Sequence, residues 1–177
     1  MESFHESMLE YKRQLEKGAI QEAYRGLMNY FNTLRAYFKK KFPDHNVSGS
    51  VYYGYMDMTY FSFTPESFKR RKLKIAIVFI HEAFRFEVWL AASNRTVQTE
   101  YWELFSEHDW KKHHIVTPAK GVDAILDHIL VGDPDFRDLD ALTMQIENGT
   151  LKLINDVETF LANRKTNAVT KHHTQHV

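Results

Sequence analysis

Residues Leu73–Leu90 read LKIAIVFIHEAFRFEVWL and form the most apolar and most β-prone stretch of the chain. The first half is apolar at nearly every position, which is typical of a central strand covered on both sides. The second half alternates with period two between an apolar set and a mixed set. The mixed set is Arg85, Glu87 and Trp89. The stretch therefore predicts two long strands joined by a turn at His81-Glu82-Ala83.

Helical periodicity lies on both sides of this stretch. Apolar residues recur at helical spacing over four segments, 2–17, 20–41, 95–108 and 136–162. Gly149 lies inside the last segment, where it predicts a kink or a break. Residues 164–177 have no apolar periodicity, so we expect a disordered tail after a single domain of residues 1–163.

The remaining segments are less regular. Ser50–Phe63 is β-prone, with either a bulge at Gly54 or two strands that meet near Met56-Asp57. Residues 113–116 predict a short strand, and residues 122–131 fit a helix and a strand equally well. Helices and strands are thus segregated along the chain, which predicts an α+β fold. We expect an antiparallel β-meander of about four to six strands, packed by amphipathic N-terminal, middle and C-terminal helices.

Composition removes several classes of function. The chain has 177 residues, with 23 basic and 23 acidic side chains, so no net charge favours nucleic acid or an anionic membrane. It has no cysteine, which excludes disulfides, thiol catalysis and cysteine-based zinc sites. The charged N-terminal segment is unlike a signal peptide, and no run of about 18 apolar residues predicts a membrane span. We therefore expect a soluble, cytoplasmic protein with no membrane partner.

One polar set suggests catalysis. Asp57 interrupts an aromatic strand, while Arg85 and Glu87 share one face of another strand. If these strands are neighbours, two carboxylates and a cation converge, as in a metal-dependent hydrolase or nuclease. The structural alternative is an ion pair on a solvated face. A nuclease of the PD-(D/E)xK type also needs a lysine two residues after the acid, where this chain has Trp89.

The abundance of aromatic residues suggests a binding or interaction protein. Trp89, Tyr101 and Trp102 are candidates to line a pocket for an apolar or aromatic ligand, between the sheet and the helix at 95–108. The same residue types suit a homodimer, so self-association is a further expectation. An ordinary aromatic core is the alternative explanation.

A basic cluster lies just before the central strand and comprises Lys69, Arg70, Arg71, Lys72 and Lys74. With the tyrosines of the preceding segment it suggests a nucleic-acid-binding surface, which the neutral chain as a whole does not favour. The histidines lack zinc-site spacing, because His113 and His114 are adjacent and His81 has no partner four residues later. We expect no metal site and no cofactor, since no glycine-rich phosphate loop is present.

The run GYMDMTYFSFTPESFKRRKLKIAIVFIHEAFRFEVWLAASNR, residues 54–95, resembles small bacterial and archaeal proteins known as domains of unknown function. The resemblance extends to about residue 162. It brings no assigned activity and no functional residue. More loosely, the order F-S-F…K-L-K-I…F-R-F-E-V is similar in plan to helix–meander–helix proteins, and this likeness implies a compact sheet with a one-sided pocket.

Overall fold

A computed structural model describes residues 3–173, apart from 109 and 120, and the side chains as far as Arg164. The described helices are α1 (Phe4–Lys17), α2 (Ala19–Lys41), α3 (Glu66–Lys69), α4 (Arg95–Glu107) and α5 (Leu139–His173). The described strands are β1 (Asn46–Val47), β2 (Met58–Thr64), β3 (Leu73–Ile80), β4 (Arg85–Ala92), β5 (His114–Ile115) and β6 (Ala124–Val131). The predicted α+β fold is confirmed.

All six strands form one antiparallel sheet in the order β1-β2-β3-β4-β6-β5. The predicted hairpin is its centre, since β3 and β4 pair along their whole length from Leu73 opposite Ala92 to Ile80 opposite Arg85. The edge strands β1 and β5 have two residues each. Such short edges limit pairing with a further strand.

The inner face of the sheet carries the core. Cross-strand partners share a face, so the register places Phe61, Ile77 and Val88 side by side. Helix α2 packs on this face through Phe31, whose ring lies 6.3 Å from that of Phe61 and 5.7 Å from that of Phe86. Helix α5 covers the side of the sheet near β6. Residues from both helices are buried in the same apolar cluster as the strands.

The outer face of the sheet has a different character. Its register row Tyr60, Val78 and Glu87 is flanked by Lys74, Arg85 and Trp89. No hydrogen bond, ion pair or ring contact among the described residues joins a helix to these polar and aromatic side chains. β3 is nevertheless covered on both sides, as expected, because Ala76 and Val78 on its outer face are buried.

The segment 50–63 is not one strand. Gly54 has φ of +69°, and a Cβ atom there would lie 2.1 Å from the carbonyl oxygen of Met58. Glycine is therefore required, and the chain turns over residues 54–57 before β2 begins. Tyr52 forms an isolated bridge with Tyr60 across this turn. Of the two predicted alternatives, strand pairing on either side of Met56-Asp57 is the closer one.

Two other ambiguities are resolved. Residues 124–131 form strand β6, because both β4 and β5 pair with it. Helix α5 is continuous through Gly149, so the predicted break does not occur. A Cβ atom at Gly149 would lie 2.4 Å from Cδ2 of Leu130, and the glycine therefore allows close packing of α5 on β6. Residues 174–177 lie outside the described residues, and disorder over 164–177 stays a prediction.

Candidate functional site

Two of the predicted catalytic residues, Arg85 and Glu87, lie on β4 and are hydrogen-bonded within that strand. Arg85 donates from Nε to Oε1 of Glu87 at 2.7 Å, and Trp89 donates from Nε1 to Oε2 at 2.6 Å. Glu87 is buried, so its charge needs both partners. The three side chains form a closed structural network on the outer face.

Asp57 lies apart from this network. Its Oδ1 accepts hydrogen bonds from the backbone N–H groups of Met58 and Tyr55, which hold the pKa of the carboxyl below its ordinary value. It stands three residues before Tyr60, which lies two strands from Glu87. Strand geometry puts the Asp57 and Glu87 Cα atoms roughly 14 Å apart. The structure therefore does not bring the two predicted carboxylates together.

The three aromatic residues predicted to line a pocket are also separated. Trp89 lies on the outer face of β4, whereas Tyr101 and Trp102 of α4 pack against the core. No ring contact within the described part of the chain joins Trp89 to either of them. The predicted pocket is not formed by these residues.

A different apolar cavity of about 500 Å³ lies between α2 and the β3–β4 hairpin. The turn before β2 and the start of α5 complete its wall. Its lining residues are Ile20, Ala23, Tyr24, Gly26, Leu27, Tyr30, Met56, Phe79, His81, Phe84, Phe136 and Leu139. The fold thus contains a pocket lined partly by aromatic residues, but at a different place from the predicted one.

Three residues with polar side-chain atoms line this cavity, and two of them make short hydrogen bonds within the protein. Tyr30 bonds through its hydroxyl to Thr143 at 3.1 Å, and burial raises the pKa of this phenol to about 12. His81 lies 3.0 Å through Nε2 from the Thr59 hydroxyl. The hydroxyl of Tyr24 makes only a long contact of 3.5 Å to the carbonyl of Tyr53. The cavity is therefore apolar with a few fixed polar groups, as ligand pockets usually are.

Two large apolar residues at the cavity have unusual backbone conformations. Met56 has φ of +62° and Phe84 has φ of +49°, a region that costs side-chain-bearing residues of order 1–2 kcal/mol each. Their side chains are 53% and 56% exposed, so burial in the core does not offset this cost. Such strain, combined with exposed apolar surface, is typical of a functional site.

Gly26 is the third unusual residue of the cavity wall. It lies inside α2, where glycine costs about 0.5–1 kcal/mol relative to alanine. A Cβ atom at this position would meet no atom within 4 Å. Close packing therefore does not explain the glycine, and alanine would also fit at this position.

The basic cluster lines a second cavity of about 500 Å³, formed by the turn after α3 and the first turn of α4. Arg70, Arg71 and Lys72 contribute to it, while Lys74 points elsewhere and pairs with Asp123 at 3.8 Å. Lys69 does not line it. Phe61, at the end of the preceding segment, is in the core, whereas the tyrosines Tyr52, Tyr53 and Tyr55 of that segment are exposed.

Histidines and acids do not form a metal centre in the described part of the chain, where no group of three such side chains could hold an ion. The most buried histidine, His113, contacts Oδ2 of Asp156 at 3.0 Å. Asp156 also accepts hydrogen bonds from Lys112 and Lys152, so its carboxylate is fully paired, whereas Nδ1 of His113 is buried without a partner among the described residues.

Residues 4–161 match a family described as a domain of unknown function, DUF7000. The chain belongs to the DUF7000 family. The resemblance to a family without an assigned activity is thus confirmed, while bacterial and archaeal membership stays a prediction. No curated protein and no solved structure matches the chain. Over the described residues, no helix of this DUF7000 protein has both the length and the apolar character needed to cross a membrane.

The cavity of this DUF7000 protein was missed at the sequence level because its wall combines residues from position 20 to position 139. Two local signals nevertheless point to it. Met56 and Phe84 are large apolar residues in turns, where polar residues and glycine are usual. Gly26 interrupts an otherwise strong helical pattern without ending it.

Proposed function

We propose that this protein binds a small apolar or aromatic molecule in the cavity beside α2. The observation that carries this proposal is the open apolar cavity of about 500 Å³ itself. Its volume lies within the roughly 300–1,000 Å³ of small-molecule sites. Its wall is mostly aliphatic and aromatic, so burial of apolar ligand surface is the main source of affinity.

The strained residues at the cavity support the same proposal. A bound apolar molecule would cover Met56 and Phe84 and remove their apolar surface from water, at about 25 cal/mol per Å². This gain would then offset the free-energy cost of the positive φ angles at both residues in the bound state. Without a ligand, about half of each side chain remains exposed, although the Phe84 ring packs against Phe79 and Phe136.

Naphthol is a suitable first probe because it is neutral, fluorescent and of a size that the cavity can hold. For a ligand of about eleven non-hydrogen atoms, roughly 0.3–0.6 kcal/mol per atom gives a dissociation constant on the order of tens of micromolar to millimolar. Calorimetry or fluorescence titration measures affinities in this range.

The test compares two variants at one position. Gly26→Ala adds a Cβ atom that meets no neighbour, so naphthol binding should stay within about twofold of the original protein. Gly26→Phe adds a large ring at the cavity wall and should weaken binding at least about tenfold, a change of about 1.4 kcal/mol. Absence of binding to the original protein, or unchanged binding to Gly26→Phe, would contradict the proposal.

The other expected functions have less support. The hydrolase alternative needs Asp57 and Glu87 to act together, and their local hydrogen bonds and the strand register keep them apart. The nucleic-acid alternative retains its cations and exposed tyrosines, but Tyr52, Tyr53 and Tyr55 do not line the cavity formed by the basic cluster. Self-association remains a proposal, which the exposed apolar side of α1 favours, since Phe4 is 83% exposed. A cytoplasmic location, also proposed, suits a chain without cysteine.

A further inference from the structure

A short hydrogen-bond chain fixes the tautomer of His81 at the cavity wall. The Thr59 hydroxyl donates to the carbonyl oxygen of Tyr53 at 2.8 Å. A hydroxyl has a single hydrogen, so Thr59 Oγ1 must act as acceptor toward Nε2 of His81, 3.0 Å away. The proton of a neutral His81 is therefore on Nε2, and its Nδ1 presents a lone pair.

The Nδ1 atom has no hydrogen-bond partner among the described residues. The neighbours of the ring are Phe79, at 5.1 Å between ring centroids, and Tyr24 of α2, at 6.1 Å. Burial lowers the pKa of His81, and the negative charge of Asp57 opposes this effect in part. Because the ordinary pKa is about 6.5, the ring is neutral above pH 7 and Nδ1 is an acceptor.

Resting on the proposed function, we infer that the ligand of this cavity carries one neutral hydrogen-bond donor on an apolar body, and that this donor meets Nδ1 of His81. The ligand class is an alcohol, a phenol or a heteroaromatic N–H compound. The cavity surrounds the body, and His81 selects the polar group.

The same geometry disfavours a carboxylate ligand. A carboxylate offers only acceptor atoms, so it would face the lone pair of Nδ1 without a hydrogen between them. Protonation of His81 would supply one, but burial of the ring opposes the charged form. Asp57 lies close enough to act on His81 electrostatically, and it would also repel an anion.

Three probes with one ring system separate these cases: naphthol, methoxynaphthalene and naphthoate, each substituted at the same ring position. At pH 7.5 naphthol should bind about fivefold to tenfold more tightly than methoxynaphthalene, which lacks the donor. Naphthoate should bind more weakly than naphthol. His81→Phe keeps an aromatic ring and removes the acceptor, so it should abolish the preference for naphthol while methoxynaphthalene still binds.

Tyr24→Phe is the matched control, since it also removes a polar atom from the cavity wall and should keep the preference. Equal binding of the three probes, a preference that survives in His81→Phe, or tightest binding of naphthoate would overturn the inference and leave the proposed function standing. Failure of all three probes to bind the original protein would overturn both.

A second measurement does not require a variant that folds. Nitrogen NMR shifts of the His81 imidazole in the original protein should report the tautomer with the proton on Nε2. The Nδ1 resonance should move when naphthol is added and stay in place with methoxynaphthalene. A proton on Nδ1 in the free protein, or equal shifts with both probes, would contradict the inference.

Discussion

At the scale of single residues, the buried polar groups explain how this fold responds to acid. The side chain of His113 is fully buried, and its ring meets that of His128 at 4.7 Å. Burial lowers the pKa of both histidines, because the charged form loses its hydration. For Asp156, burial raises the pKa, but hydrogen bonds from Lys112, Lys152 and His113 outweigh it and lower the pKa overall.

These shifts predict that stability falls between pH 7 and pH 5. Below the ordinary histidine pKa of about 6.5, the unfolded chain binds protons that folded His113 and His128 do not. The free energy of unfolding should decrease by up to about 1.4 kcal/mol per pH unit for each histidine. The stabilisation from Asp156 is present above the unfolded pKa of about 3.9, so it is not lost in this window.

Urea unfolding at pH 7.5, 6.5 and 5.5 measures this effect, with His128→Leu as the comparison. The variant places an apolar side chain on the inner face of β6 and removes one of the titrating groups. Its stability should therefore depend less on pH than that of the original protein. An equally steep loss of stability in the variant would show that the buried histidines are not responsible.

Secondary-structure elements show which features the sequence could predict. The β3–β4 hairpin follows from its period-two pattern, and α4 begins after Asn94, a typical capping residue whose side chain accepts from the N–H of Val97. These features depend on neighbours along the chain. The turn at Gly54 depends on a close approach to Met58, and the packing of α5 at Gly149 depends on a close approach to Leu130. No local sequence pattern shows either contact.

The two glycines inside helices provide a matched test at this scale. At Gly26 a Cβ atom meets nothing, so Gly26→Ala should raise the free energy of unfolding by about 0.5–1 kcal/mol. At Gly149 the same atom would lie 2.4 Å from Leu130 Cδ2, and the forced rearrangement should cancel or reverse that gain.

Chemical denaturation of both alanine variants measures the difference directly. We expect Gly26→Ala to be the more stable of the two by about 1 kcal/mol. Equal stability would indicate that β6 and α5 are not closely packed at Leu130. A less stable Gly26→Ala protein would indicate that the space beside α2 is filled.

On the scale of the whole molecule, the helices pack on the inner face of the sheet and leave the outer face polar. The sequence predicted the two-faced character of β4, and Glu87 is indeed on the polar side with Arg85 and Trp89. It did not predict the cavity, because α2, the hairpin turn and the start of α5 meet only in the folded chain. The candidate site is therefore a property of the tertiary structure.

The most direct test of ligand binding beside α2 is methyl NMR during a titration with naphthol. Binding in the cavity should shift the methyl resonances of Ile20, Leu27, Met56 and Leu139, which line it, and these shifts should be lost in Gly26→Phe. The methyl groups of Val157, buried elsewhere in the core, should not move. Shifts confined to residues outside the cavity, or none at saturating naphthol, would contradict binding in the cavity.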